Sequence, residues 1–257
     1  MRKKIAAGNW KMNTTLEEGV QLINDLMKGL EQNPPKQKVG EMEIVLAPPF
    51  ITLAAAIEHV KFNPQVHIAA QNCSHKDKGA YTGEVSVDMI RSTGAEYVII
   101  GHSERREYFK EDAFILAAKV DLALSRKLVP IFCCGEPLEV RQKEGHFRLV
   151  EEQVSQSLFH LDKEQMRQIV IAYEPVWAIG TGVTATSQQA QEMHAYIREF
   201  LAKQYGKEVA QQIPILYGGS VNAKNAEELF ANKDVDGGLV GGASLKADDF
   251  LTIIRSF

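Results

Sequence analysis

The sequence is short of the residues that build disulfide frameworks and metal centres. Its three cysteines, Cys73, Cys133 and Cys134, are an odd number with no C-x-x-C pair, which excludes a disulfide scaffold or a zinc ribbon and suits a reducing compartment. The seven histidines are scattered, with neither H-x-H nor H-E-x-x-H spacing, so no protein-built metal site is expected. No Lys/Arg run exceeds three residues, and the net charge of -4 with a pI near 6.0 leaves no clustered basic face for nucleic acid or a membrane surface. Neither partner is expected. Met1-Arg2-Lys3-Lys4-Ile5-Ala6-Ala7 starts like a signal peptide, but Gly8-Asn9 breaks the apolar stretch before an h-region forms, which points to a cytoplasmic protein. No Walker A motif is present, and Gly180-Thr181-Gly182 is too short for a dinucleotide fingerprint, so no cofactor motif stands out.

What is present is a regular alternation. Eight mostly continuous, β-branched apolar runs recur at Lys4–Ala7, Glu43–Ala47, Val66–Ala70, Tyr97–Ile100, Val129–Cys133, Ile169–Tyr173, Ile213–Tyr217 and Gly237–Val240. Runs of that kind, without polar alternation, are the pattern of parallel strands covered on both faces. Helical segments lie between them. Thr15-Leu16-Glu17-Glu18 makes a capping box followed by an apolar stripe at Val20, Ile23, Met27 and Leu30, stopped by Asn33-Pro34-Pro35. Thr186-Ser187-Gln188-Gln189 caps another, with Ala190, Met193, Ile197 and Leu201 on one face, and Asp248–Ile254 reads as the last helix. Strand starts fall roughly 33 residues apart, the length of a strand, a crossover helix and two loops. Eight such units without a dividing linker predict a single-domain (β/α)8 barrel over residues 1–257, with an open doubly wound sheet as the competing arrangement.

In a barrel the C-terminal strand ends share one rim, where active sites are built. Asn9 and Lys11 follow the first strand, His102 the fourth, Glu174 the sixth, Gly218-Gly219-Ser220 the seventh and Gly241-Gly242 the eighth. Glycines there let backbone amides approach an anion, which predicts a phosphate site, although tight turns alone would also use them. Gly218-Gly219-Ser220-Val221-Asn222 lacks the last glycine of a nucleophile elbow, so Ser220 reads as a phosphate ligand. Glu174, at the end of an apolar strand beside Tyr173 and Pro175, suits a general base or a structural ion pair. His102 precedes a helix N-terminus, which favours a neutral, hydrogen-bond-donating ring. Trp177-Ala178-Ile179-Gly180-Thr181-Gly182 is apolar yet glycine-punctuated, and reads as a lid whose Gly180 amide could reach a phosphate. Base, electrophile, cation and phosphate grip together describe proton abstraction next to a carbonyl.

Over its whole length the chain resembles the triosephosphate isomerase family, through Gly8-Asn9-Trp10-Lys11-Met12-Asn13, Gly79-Ala80-Tyr81-Thr82-Gly83-Glu84, Gly101-His102-Ser103-Glu104-Arg105-Arg106, Ala172 to Gly182, Tyr217 to Asn222 and Gly237 to Leu245. The resemblance implies a TIM barrel that interconverts dihydroxyacetone phosphate and D-glyceraldehyde 3-phosphate through an enediolate, without cofactor or metal. It assigns Glu174 as base, His102 as neutral electrophile, and Lys11 and Asn9 as electrostatic stabilisers; this family is itself a standard illustration of such a carboxylate and histidine pair. Gly180, Ser220, Gly241 and Gly242 would bind the phosphate, Glu104 would support Lys11, and the loop around Thr82 would enter the other subunit of a homodimer. Val183 departs from the common Gly-Lys-Thr-Ala after the lid, and Cys134 from the usual Val or Ile. Another phosphate-binding barrel, such as a Schiff-base aldolase using Lys11, or a catalytically silent barrel, remain the alternatives.

Overall fold

The computed structural model describes residues 2–180 and 183–257, so Met1 and the lid residues Thr181 and Gly182 lie outside the described residues. Eight strands, β1 Lys4–Asn9, β2 Met42–Ala47, β3 Val66–Ala70, β4 Tyr97–Ile100, β5 Val129–Cys134, β6 Val170–Tyr173, β7 Ile215–Tyr217 and β8 Gly237–Val240, pair in parallel and in sequence order until β8 closes on β1. This is the (β/α)8 barrel, not the open sheet. Strand ends differ from the expected runs where chemistry intervenes. Pro214 has no amide to give, so β7 begins at Ile215, two residues later than expected, while the Pro214 carbonyl still accepts from Ile171 N–H at 3.0 Å.

Alternate strand residues serve two apolar layers. Ile5, Val45, Ile99, Ile131, Ala172 and Leu216 fill the barrel interior, whereas their neighbours Ala6, Ile44, Ile100, Phe132, Ile171 and Ile215 pack outward against the helices. Burial on both faces explains the unbroken apolar runs. Each large aliphatic side chain so buried contributes about 1.5 to 3 kcal/mol.

The first helix, Leu16–Gln32, has the capping box expected at Thr15 and Glu18. Its buried stripe is rotated from the expected one: Gly19, Leu22, Ile23, Leu26 and Leu30 face inward, while Val20 and Met27 are only half-buried. Gly19 is the reason, because a Cβ there would come within 3.1 Å of Thr52 Cγ2, so the bare backbone seats closest to its neighbour. The helix Ser187–Tyr205 keeps Ala190, Met193, Ile197 and Leu201 buried and adds His194 and Arg198. Arg198 pairs with Asp234 at 2.8 Å and Asp236 at 2.7 Å beneath the barrel. The last helix is Ala247–Ile254. Among the described residues no helix is long and apolar enough to cross a membrane.

Closure has a steric condition at Gly237. Its φ is +141, and a Cβ would lie 1.9 Å from the Ile5 carbonyl oxygen of the adjoining strand. Gly237→Ala is expected to cost on the order of 4 kcal/mol or more, read as a fall in the urea midpoint or loss of soluble protein.

His194 generates a pH prediction. Burial pushes its pKa down from 6.5 to about 4, and the ring Nδ1 faces the Asp234 carbonyl at 3.2 Å. Between those pH values the unfolded chain binds a proton that the folded chain refuses, so stability rises with pH across the window. Acidification through it should remove about 3 kcal/mol from this residue. Imidazole NMR should show His194 neutral down to about pH 4.

Candidate active site

The C-terminal rim encloses a cavity of about 410 Å³ lined by Asn9, Lys11, His102, Glu174, Ser220 and the glycines Gly180, Gly241 and Gly242. All eight were singled out from sequence. Glu104 is absent from the lining but holds Lys11, with Nζ to Oε1 at 2.6 Å. Thr82 is exposed, and neither it nor its neighbour Tyr81 lines the cavity.

Asn9 ends β1 and is buried, and its Oδ1 accepts the Lys11 amide at 3.0 Å. That bond turns the chain so that Lys11 adopts φ +53, a left-handed conformation costly for a side-chain residue. Gln71, just beyond β3, steadies the turn by donating to the Lys11 and Ala47 carbonyls, each at 2.8 Å. Sequence reasoning missed Gln71, although a polar side chain right after a strand on this rim was the available signal.

His102 caps the helix Ser103–Tyr108, and its Nδ1 accepts the Glu104 amide at 3.3 Å. An accepting Nδ1 leaves the ring proton on Nε2. That nitrogen lies 2.9 Å from Glu174 Oε1. Glu174 is 2% exposed, and its Oε2 accepts the Ser103 amide at 2.9 Å, a contact absent from the sequence reading. Behind it, the Glu174 amide donates to the Cys134 carbonyl at 2.7 Å. A Cβ on Gly135 would fall 1.7 Å from the Glu174 carbonyl oxygen, so glycine is what lets the two strand ends close on each other.

Burial works against a charged His102 ring, yet Glu174 across Nε2, by charge and by hydrogen bond, and then Glu104, outweigh it and raise the pKa above 6.5. The helix N-terminus therefore does not by itself set the ring's charge: with Glu174 against it, the balance shifts toward protonation. Burial lifts the Cys134 thiol to about 12 and the Cys133 thiol well above its ordinary value, so both stay protonated.

The glycine loops supply amides. Ser220 N–H presently donates to the Ala178 carbonyl at 3.2 Å, and Asn225 Nδ2 holds the Ser220 carbonyl at 3.0 Å. Gly242 opens the short 3-10 turn Gly242–Leu245, and a Cβ there would meet nothing within 4 Å. Gly180, at φ +67, lines the cavity beside Ile179. Beneath the lid, the fully buried Glu136 accepts from Trp177 Nε1 at 2.9 Å and Tyr173 Oη at 3.0 Å, and it pairs with Arg141 at 3.0 Å. Among the described residues no cluster of three metal-ligating side chains occurs.

A closed parallel barrel with a carboxylate, an imidazole and an ammonium gathered at its C-terminal rim defines a (β/α)8-barrel enzyme. A sequence model described as triosephosphate isomerase matches residues 4–257. Relatives of that name from Porphyromonas gingivalis, Phocaeicola vulgatus and Cytophaga hutchinsonii are 55%, 53% and 52% identical, each aligned over 100% of both chains. The chain belongs to the triosephosphate isomerase family.

Replacing Glu174 by glutamine removes the largest influence that raises the His102 pKa, leaving Glu104 in place and the ring buried. Imidazole NMR on Glu174→Gln should show the His102 titration moved to lower pH than in the parent.

Proposed function

We infer that this chain interconverts dihydroxyacetone phosphate and D-glyceraldehyde 3-phosphate, with Glu174 as base, His102 as neutral electrophile, and Lys11 and Asn9 as electrostatic stabilisers. The observation that carries the reading is the 2.9 Å approach of Glu174 and His102 at the wall of a cavity that Lys11, Gly180, Gly241 and Gly242 also line.

In this reading Glu174 leaves Ser103 and His102 and takes the proton from the carbon next to the carbonyl. The C–H electron pair becomes the carbon–carbon double bond, and the carbonyl pair moves to oxygen. His102 Nε2–H and Lys11 meet that developing charge. A proton then passes from the neighbouring hydroxyl to the former carbonyl oxygen by way of the His102 ring, the deprotonated oxygen's pair forms the new carbonyl, and the acid form of Glu174 returns the proton to the adjacent carbon as the double bond breaks. Once the carboxylate has swung away from Nε2, burial again favours the uncharged ring, so the electrophile is neutral when it acts. A base supplies about 10² to 10⁴-fold and each well-aimed donor about 3 to 4 kcal/mol. Both are needed.

The phosphate would sit on the amides of Ser220, Gly241, Gly242 and Gly180. Ser220 N–H becomes available when the lid's root at Ala178 moves. Glu104 supports Lys11 from outside the cavity. No metal or cofactor takes part. A homodimer through the loop around Thr82 is part of the reading, supported by the exposure of Met12 (97%), Met89 (59%) and Tyr81 (46%), since apolar side chains left bare in one chain suit burial against another. The setting is the cytoplasm, which suits three buried free thiols. A Schiff-base aldolase is less well served, because Lys11 is partly solvated and ion-paired with Glu104 rather than desolvated inside the barrel.

Purified protein should convert D-glyceraldehyde 3-phosphate to dihydroxyacetone phosphate without added metal or cofactor, and Glu174→Gln should lower kcat by about 10² to 10⁴-fold. Folded parent that binds triose phosphate without turning it over would make the chain a binding protein instead.

A further inference from the structure

The β4–β5 ladder ends at Ile100↔Phe132, whereas β5 stays paired with β6 up to Cys134↔Tyr173. Beyond Ile100 the chain turns away at Gly101, with φ +77, so backbone amides of β4 no longer reach the end of β5. The Arg106 guanidinium takes their place. Its Nε donates to the Gly101 carbonyl at 2.8 Å and its Nη2 to the Cys133 carbonyl at 2.8 Å. Its own amide donates to the His102 carbonyl at 3.1 Å, and the guanidinium lies 5.5 Å from the Phe132 ring centroid. Among the described residues no carboxylate forms an ion pair with it, so its bonds go to backbone carbonyls alone.

Each end of this fork leads to a reacting group of the reading above. Gly101 immediately precedes His102, and Cys134, next to Cys133, holds the Glu174 amide at 2.7 Å. We propose that Arg106 is a positioning residue for proton transfer, fastening the end of β4 that carries His102 to the end of β5 that holds Glu174. The inference rests on that assignment of His102 and Glu174. A planar fork with fixed donor spacing spans two carbonyls, which the single ammonium of lysine cannot do with the same geometry. An error of about 1 Å between reacting groups can cost about 100-fold in rate.

The test uses Arg106→Met and Arg106→Lys in the full chain, beside the parent and Glu174→Gln. Arg106→Met should lose about 100-fold in kcat, with KM and competitive inhibition by inorganic phosphate changed less than about threefold. Arg106→Lys should fall in between. Millimolar guanidinium should restore kcat of an Arg106→Ala variant about tenfold without changing its urea midpoint, a response that a merely structural loss would not give. The His102 imidazole shift should move in Arg106→Met. A kcat within about threefold of the parent, or a loss that matches the unfolded fraction and ignores guanidinium, overturns the proposal. If Glu174→Gln keeps parental turnover, the functional reading fails by itself. The brace is then judged by the His102 shift in Arg106→Met alone, and an unmoved shift overturns it.

Discussion

The pairing of β8 with β1 is the constraint on which everything at the rim depends. Ile5↔Gly237 through Gly8↔Val240 join the first and last strands, and only then do Asn9 and Lys11, from the start of the chain, face Gly241 and Gly242 from its end. A Cβ on Gly241 would stand 3.6 Å from Lys11 Cε, which shows how near the two ends are brought. Closure also leaves no free sheet edge. An open sheet of the same strands would set the ammonium and the eighth-strand loop on opposite borders, with no shared cavity between them.

On that frame the polar groups hold one another in chains rather than pairs. Gln71 fixes the turn that carries Lys11, Glu104 meets the Lys11 ammonium, and the amide of Glu104 fixes the His102 ring, whose other nitrogen faces Glu174. Glu104 thus serves two neighbours, one through its carboxylate and one through its backbone. Cys134, a departure from the family pattern, touches this set only through its carbonyl; its side chain is buried in the outer apolar layer. Val183, the other departure, is 53% exposed beyond the lid.

The fold was legible because parallel strands buried on both faces write themselves as unbroken apolar runs, and because Thr15 and Thr186 announce their helices by capping chemistry. The rim residues were legible because each follows a strand. The first-helix stripe was misplaced where it depended on a neighbour far along the chain, since nothing near Gly19 in sequence reveals Thr52. Gln71, Ser103 and Arg106 were missed for a related reason. Gln71 and Arg106 bond to backbone carbonyls and the Ser103 amide to a carboxylate distant in sequence; the place of Gln71 after a strand hinted at a rim role, but no residue pattern names the carbonyl that needs a donor. The carboxylate that faces His102 lies 72 positions away at Glu174, so its pull on the ring was not legible from the helix terminus beside His102.

The two apolar layers carry one more implication. Because neighbouring side chains on every strand face opposite layers, sliding a strand by a single position would exchange inside for outside along its whole length. Alignment within the barrel therefore changes only in whole steps, and in a ring each step is felt by every other strand. The distances between reacting groups cannot drift by small amounts through the sheet. What fine adjustment the rim retains must come from its loops and side chains, so this architecture separates a rigid, all-or-nothing scaffold from a tunable surface.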